Sequence, residues 1–234
     1  MPSTPYASAL IVGAGPGLGA SLARSFVREA GMRVIVAARS RDKLHAIAQE
    51  TGAGVMTCDS TDADAVAALF DAATKQLGGA PEVVIYNASQ RVRGPFVEVD
   101  PEAVARALSV TAYGAFLVAQ QAARRMLPNG KGAILFTGAS AGVKGYPQSA
   151  AFAMGKFALR GLAQSMAREL MPQGIHIGHI VVDGSIRPPG EATDSGKDDR
   201  LDPDAIASTY LHLLTQPRNS WSWEIEVRPW VERF

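Results

Sequence analysis

The stretch "SALIVGAGPGLGASLARSFVREAG", residues 8–31, decides the fold. Residues 8–15 read as a buried strand running into a glycine-rich turn. Residues 18–31 carry apolar side chains at helical spacing and end in Gly31, which reads as a helix with a C-terminal stop. The common dinucleotide-binding turn is G-x-G-x-x-G. Here the position that follows Gly13 and Gly15 is Leu18, so that spacing fails. The spacing that fits is G-x-x-x-G-x-G, on Gly13, Gly17 and Gly19, with Leu18 inside the same turn. The physical task is unchanged: glycines permit a tight turn and close backbone approach, and a helix N-terminus faces a pyrophosphate.

Working outward, short apolar runs alternate with helical patterns. Strands are expected at "RVIVAA" (33–38), "GVMTCD" (54–59), "EVVIYN" (82–87), "GAILFTG" (132–138), "GIHIGHIVVDG" (174–184) and "SWSWEIEVRPW" (220–230). Helices are expected between them, including a long one from Pro101 to about Leu127 and another from about Ser149 to Met171. Repeated strand–helix–strand units give a parallel sheet with helices on both faces. The expectation is one α/β domain over residues 1–234, a doubly wound sheet with its ligand at the carboxyl ends of the strands.

The end of the second strand speaks to the cofactor. A carboxylate there would bond an adenosine ribose diol, whereas an arginine would neutralise a 2′-phosphate. The chain has Ala38 and then Arg39, with no acid, which favours NADP(H) over NAD(H).

Bulk properties narrow the partners. With 47% hydrophobic and 19% charged residues over 234 positions, the chain can bury one sizeable core. A formal net charge of +1 gives no electrostatic argument for nucleic acid. No signal-peptide pattern and no apolar run near membrane length is evident, so a cytoplasmic protein without a membrane partner is expected. Cys58 is the only cysteine and reads as a buried small hydrophobe. The four histidines, at 45, 176, 179 and 212, show no ligand spacing, so no metal site is expected.

Several pieces together resemble the short-chain dehydrogenase/reductase family: "GAGPGLG", "CDSTD" (58–62), "YNAS" (86–89), the Gly-Ala-Phe-Leu run at 114–117, Lys156 on its helix and "DGSI" (183–186). The resemblance covers nearly the whole chain. It implies a sheet of about seven strands and a nicotinamide cofactor. It also implies that Asp59 holds the adenine, Asn87 sits beside the cofactor ribose, Lys156 bonds the nicotinamide ribose and Ile186 lines the nicotinamide pocket. The family's usual Tyr, four residues before the Lys, falls on Phe152. Its Ser falls on Ala139, its helical Asn on Thr111, and the Pro of its Pro-Gly pair on Asp183. Phe cannot donate a proton and Ala cannot donate a hydrogen bond. Loss of a general acid costs about 10²–10⁴ in rate.

Candidates to replace these groups are Tyr146 as a relocated acid and Ser140 beside Ala139, with Asp183 a further carboxyl. Arg91 and Arg93 follow the fourth strand and suit a carboxylate or phosphate. The polar segment 187–204, where the family places a substrate lid, has Leu201 as its one large apolar residue, and a poor seal is expected. Trp221, Trp223, Ile225 and Val227 alternate with polar residues, so they are expected to form one apolar strand face. The resemblance implies a homodimer or homotetramer through this last strand and through the fourth and fifth helices. The leading expectation is an NADP(H)-dependent oxidoreductase of altered chemistry, reducing a small carbonyl, imine or activated alkene. Two alternatives stay open: a dinucleotide-binding sensor or partner protein without turnover, and a non-redox isomerase or cyclase.

Overall fold

The computed structural model describes residues 4–191 and 198–232. Among them seven strands form one sheet in the order β3-β2-β1-β4-β5-β6-β7. They are β1 (Ser8–Val12), β2 (Arg33–Ala38), β3 (Gly54–Thr57), β4 (Val83–Tyr86), β5 (Gly132–Thr137), β6 (Ile175–Val182) and β7 (Glu224–Val227). Every pairing is parallel. The helices are α1 (Leu18–Arg28), α2 (Asp42–Thr51), α3 (Ala63–Leu77), α4 (Pro101–Leu108), α5 (Gly114–Met126), α6 (Ala150–Leu170) and α7 (Pro203–Thr215).

Strand periodicity divides the core in two. Ala9 and Ile11 of β1 join the cluster under α1, α2 and α7, with Leu22, Phe26 and Tyr210. Leu10 and Val12 point the other way, to α3, α5 and α6, with Phe70, Val118 and Leu159. Burial on both faces is why these strands read as continuous apolar runs. Local signals set the helix ends. Asp62, Asp100 and Asp202 accept hydrogen bonds from the first-turn amides of α3, α4 and α7. Gly52 and Gly78 close α2 and α3 in the left-handed conformation.

The strand order reverses between the neighbours β1 and β4, and the ligand crevice of such a sheet opens there. Gly13, directly after β1, has φ +85°, and a Cβ there would lie 2.3 Å from the Ala88 nitrogen. Any side chain would therefore push β1 and the segment after β4 apart.

Three expectations from the sequence are revised. The helix begun at Pro101 is not one regular α-helix: Ser109–Tyr113 forms a π-helical turn between α4 and α5. Its cause lies in β4. The buried Tyr86 hydroxyl donates to the Val110 carbonyl and pairs with Ser60 Oγ at 3.0 Å, and Gly114 leaves room for it. Burial pushes the Tyr86 pKa up to about 12, so the hydroxyl stays a donor. The run Pro101–Asn129 also proves long and apolar enough, by those two measures alone, to cross a membrane. In this fold its Ala115, Val118, Ala119 and Ala122 pack into the core.

The last strand is shorter than expected and does not carry four apolar residues on one face. Trp223 packs with the α6-side cluster, while Ile225 and Val227 pack with the opposite one. Trp221 stacks on the buried His176 ring at 4.6 Å, and its indole N–H donates to the Gln216 carbonyl. Trp221 and Trp223 are thus engaged within the chain, whereas Trp230 is 82% exposed. Large apolar groups are exposed instead on the α5 and α6 surfaces, at Phe116, Met154 and Phe157.

Candidate active site

Two clefts open at the carboxyl ends of the strands. The first, about 560 Å³, is bounded by Gly13, Arg39, Lys43, Asp59 and Asn87 among others. The second, about 380 Å³, is bounded by Arg91, Arg93, Ser140, Tyr146, Phe152 and Asp183 among others.

The glycine turn forms one wall of the first cleft. No side chain caps α1, so its leading amides are open to a ligand. Side chains at Gly15 and Gly17 would meet nothing within 4 Å, whereas one at Gly19 would lie 2.8 Å from Ala14 Cα. Gly19 thus serves close packing, and Gly15 and Gly17 leave space above the helix end. An anion fits such a cradle. Arg39, at the end of β2, and Lys43, in the first turn of α2, supply the cations of this cleft. Sequence reasoning missed Lys43; its signal was a second cation four residues after Arg39, where α2 begins. Asp59 is the one carboxylate lining the cleft among the described residues. Its Oδ1 accepts from the Thr61 amide and hydroxyl at 2.9 and 2.8 Å. Those two bonds hold its pKa below the usual carboxylate range, with help from Arg39.

A buried polar chain joins the strand ends. Asn87 Nδ2 donates to the Gly13 carbonyl at 2.9 Å, and its Oδ1 accepts from Thr137 Oγ1 at 2.9 Å. Thr137 has one proton and gives it to Asn87, so the Tyr210 hydroxyl, 2.7 Å away, donates to Thr137. Lys156 Nζ donates to the Thr137 carbonyl at 2.7 Å. Thr137 is therefore a hub, a role that no motif or spacing marked. Lys156 is only 2% exposed. Burial, and next the charge of Arg91, pull its pKa down to about 7. Beneath it, His179 Nδ1 bonds Glu224 at 2.9 Å, and Arg160 grips the same carboxylate at 2.7 and 2.8 Å.

The second cleft gathers Ser140, Tyr146 and Phe152. Phe152 stands one turn before Lys156 on α6, with Lys156 Nζ 5.7 Å from its ring centroid. Arg91 covers the ring more closely, its Cζ 4.5 Å from the centroid. Ala139 has extended backbone just before the short turn Ser140–Gly142. Tyr146 is 43% exposed, with Lys144 over its ring at 5.7 Å. Thr111 sits in the π-turn, 1% exposed, and accepts from the Gln90 amide at 3.2 Å. Asp183 is buried, with Arg228 at 3.0 Å and Lys144 at 3.5 Å. The carboxyl read as a spare acid is thus engaged by two cations. Ile186 lies outside both clefts and bridges to Leu201. Of segment 187–204, residues 192–197 lie outside the described residues. At its base Leu201 is buried, and Arg187 pairs with Asp202 at 2.9 Å.

A family model described as short chain dehydrogenase matches residues 7–195. The cyclic-di-GMP-binding biofilm dispersal mediator protein of Escherichia coli (strain K12) is 35% identical over 179 residues, covering 76% of this chain and 72% of that protein. The crystal structure of a short-chain dehydrogenase from Rhodopseudomonas palustris matches with a TM-score of 0.80 at 34% identity, over 95% of this chain and 99% of that one. A metagenomic short-chain oxidoreductase in complex with NADP matches with a TM-score of 0.82 at 28% identity, over 95% and 97% of the two chains.

The buried lysine generates a prediction for the ligand-free protein. Between pH 7 and about 10 the unfolded chain holds a proton on residue 156 that the folded chain lacks, so stability contributed here rises with pH. The gain is at most roughly 5 kcal/mol. Denaturant unfolding of wild type and Lys156→Met at pH 7, 8 and 9 should show wild type gaining on the variant as pH rises. A pH-independent difference would mean that the ammonium stays charged when buried.

Proposed function

The chain belongs to the short-chain dehydrogenase family, and from that premise we propose an NADP(H)-dependent oxidoreductase whose chemistry departs from ordinary carbonyl reduction. The observation that carries the cofactor reading is the first cleft, where Arg39 and Lys43 stand at the end of β2 and α1 presents an uncapped N-terminus. Gly13, Gly17, Leu18 and Gly19 would carry the pyrophosphate, Asp59 the adenine, and Asn87 and Lys156 the nicotinamide ribose; Ile186, outside both clefts, is left without a role. Arg39, with Lys43 beside it, would take a 2′-phosphate. The related metagenomic oxidoreductase bound to NADP supports the same choice. A nicotinamide bound there supplies hydride.

What the protein's own residues do for the substrate is unusual. In this reading Phe152 and Ala139 stand where the family carries its proton donor and its hydroxyl. Phe152 excludes water beside Lys156 but transfers no proton. Lys156 positions the ribose from below, anchored on Thr137. Ser140 and Tyr146 line the second cleft together with Ser149 and Ser185, and Tyr146 is the candidate proton donor. Thr111 acts at one remove, by holding the Gln90 amide. The site suits a small substrate whose reduction leaves little charge on oxygen, an iminium or activated alkene, or a carbonyl served by Tyr146.

A second reading, a dinucleotide binder without turnover, is favoured by the similarity to the cyclic-di-GMP-binding biofilm dispersal mediator protein of Escherichia coli. The exposed Phe116, Met154 and Phe157 support a homodimer or homotetramer through α5 and α6.

Three measurements test these proposals. Fluorescence titration should show NADPH binding more tightly than NADH, and Arg39→Ala should weaken NADPH about 10-fold or more while leaving NADH nearly unchanged. Tighter NADH binding to wild type would reverse the assignment. Phe152→Tyr combined with Ala139→Ser should raise kcat/KM for a simple ketone by about 10²-fold or more. No gain in a variant that still binds NADPH would show that these positions do not face the reacting oxygen. Sedimentation at micromolar concentration should give an oligomer that Phe157→Glu dissociates; a wild-type monomer would remove the interface.

A further inference from the structure

We propose that Arg91 and Arg93 form an anion subsite in the second cleft, and that the substrate carries a carboxylate beside its reducible group. The substrate assignment rests on the oxidoreductase reading above; the subsite itself does not. The loop that bears both arginines is clamped at two points. The Gln90 amide donates to Thr111 Oγ1 at 3.2 Å, and the Gly94 amide donates to the Gln148 carbonyl at 3.2 Å. Thr111 is in turn pressed against α6 at Gly155, where a Cβ would lie 3.0 Å from Thr111 Cβ. The clamp sets the Arg91 guanidinium over Phe152, Cζ 4.5 Å from the centroid. An aromatic face attracts a cation without neutralising it.

The charge in this cleft is unbalanced. Among the described residues neither Arg91 nor Arg93 forms an ion pair. The two carboxylates that share the cleft are Asp183 and Glu232. Asp183 is occupied by Arg228 and Lys144, and Glu232 sits exposed at the rim. Partial burial and the neighbouring Arg93 both disfavour the charge on Arg91, and Arg91 in turn disfavours the charge on Lys156. An anion entering this space relieves all three. With one face of Arg91 covered by Phe152, the open edge of its guanidinium matches a flat carboxylate through two parallel N–H···O bonds. The first cleft has its own cations, Arg39 and Lys43, so the cofactor phosphates do not need this pair.

The test uses the full chain saturated with NADP⁺ and a matched pair of probes, benzoylformate and its methyl ester, titrated by calorimetry. The acid should bind about 10-fold or more tightly than the ester. The preference should shrink with added salt and vanish in Arg91→Met/Arg93→Met. Arg93→Met alone should reduce it partly, and NADP⁺ binding by each variant checks that it is folded. Equal binding of the two probes to wild type, absence of measurable acid binding, or a preference that survives in the double variant would each overturn the subsite. Oxidation of NADPH is followed separately. Selective acid binding without turnover on either probe would leave the subsite standing and count against the oxidoreductase reading alone.

Discussion

The site depends on how closely β4 runs past the end of β1. Gly13 has no side chain, and a Cβ there would lie 2.3 Å from the Ala88 nitrogen. That approach lets Asn87 reach the Gly13 carbonyl, and through Asn87 the strand ends are tied to Thr137 and Tyr210. Thr137 then offers its carbonyl to Lys156 on α6. A chain of buried hydrogen bonds thus runs from the glycine turn to the lysine. Each group in it would be costly to leave unpaired, so the arrangement is held as a unit.

The same geometry concentrates positive charge. Lys156 Nζ lies 5.7 Å and Arg91 Cζ 4.5 Å from the centroid of the Phe152 ring. The phenyl ring carries no ionisable proton and gives Arg91 a platform, so two cations gather around one aromatic face. Asp183 does not offset this, because Lys144 and Arg228 already engage it.

Much of the fold was legible because its strands are buried on both faces and its helices carry conventional end signals. The alternation of strands and helices, the glycine turn and the positions of Arg39, Asp59, Asn87 and Lys156 could be read as a doubly wound sheet with a ligand crevice, whereas the strand order came only with the structure. The π-turn at Ser109–Tyr113 could not, since its cause is a hydroxyl on β4, far away in sequence. The tryptophans misled for a similar reason. Alternation predicts one face only while the backbone stays a strand, and β7 begins at Glu224, after Trp223.

The sequence by itself determined the fold class, the cofactor-binding framework and the chemical limits of Phe152 and Ala139, because periodicity, turn residues and functional groups are local properties. The tertiary structure alone decided which charges meet. Arg91 over Phe152, Lys156 on the Thr137 carbonyl, and Asp183 between Lys144 and Arg228 are contacts between different elements. Their energies depend on distance and burial, which only the packed sheet and helices set.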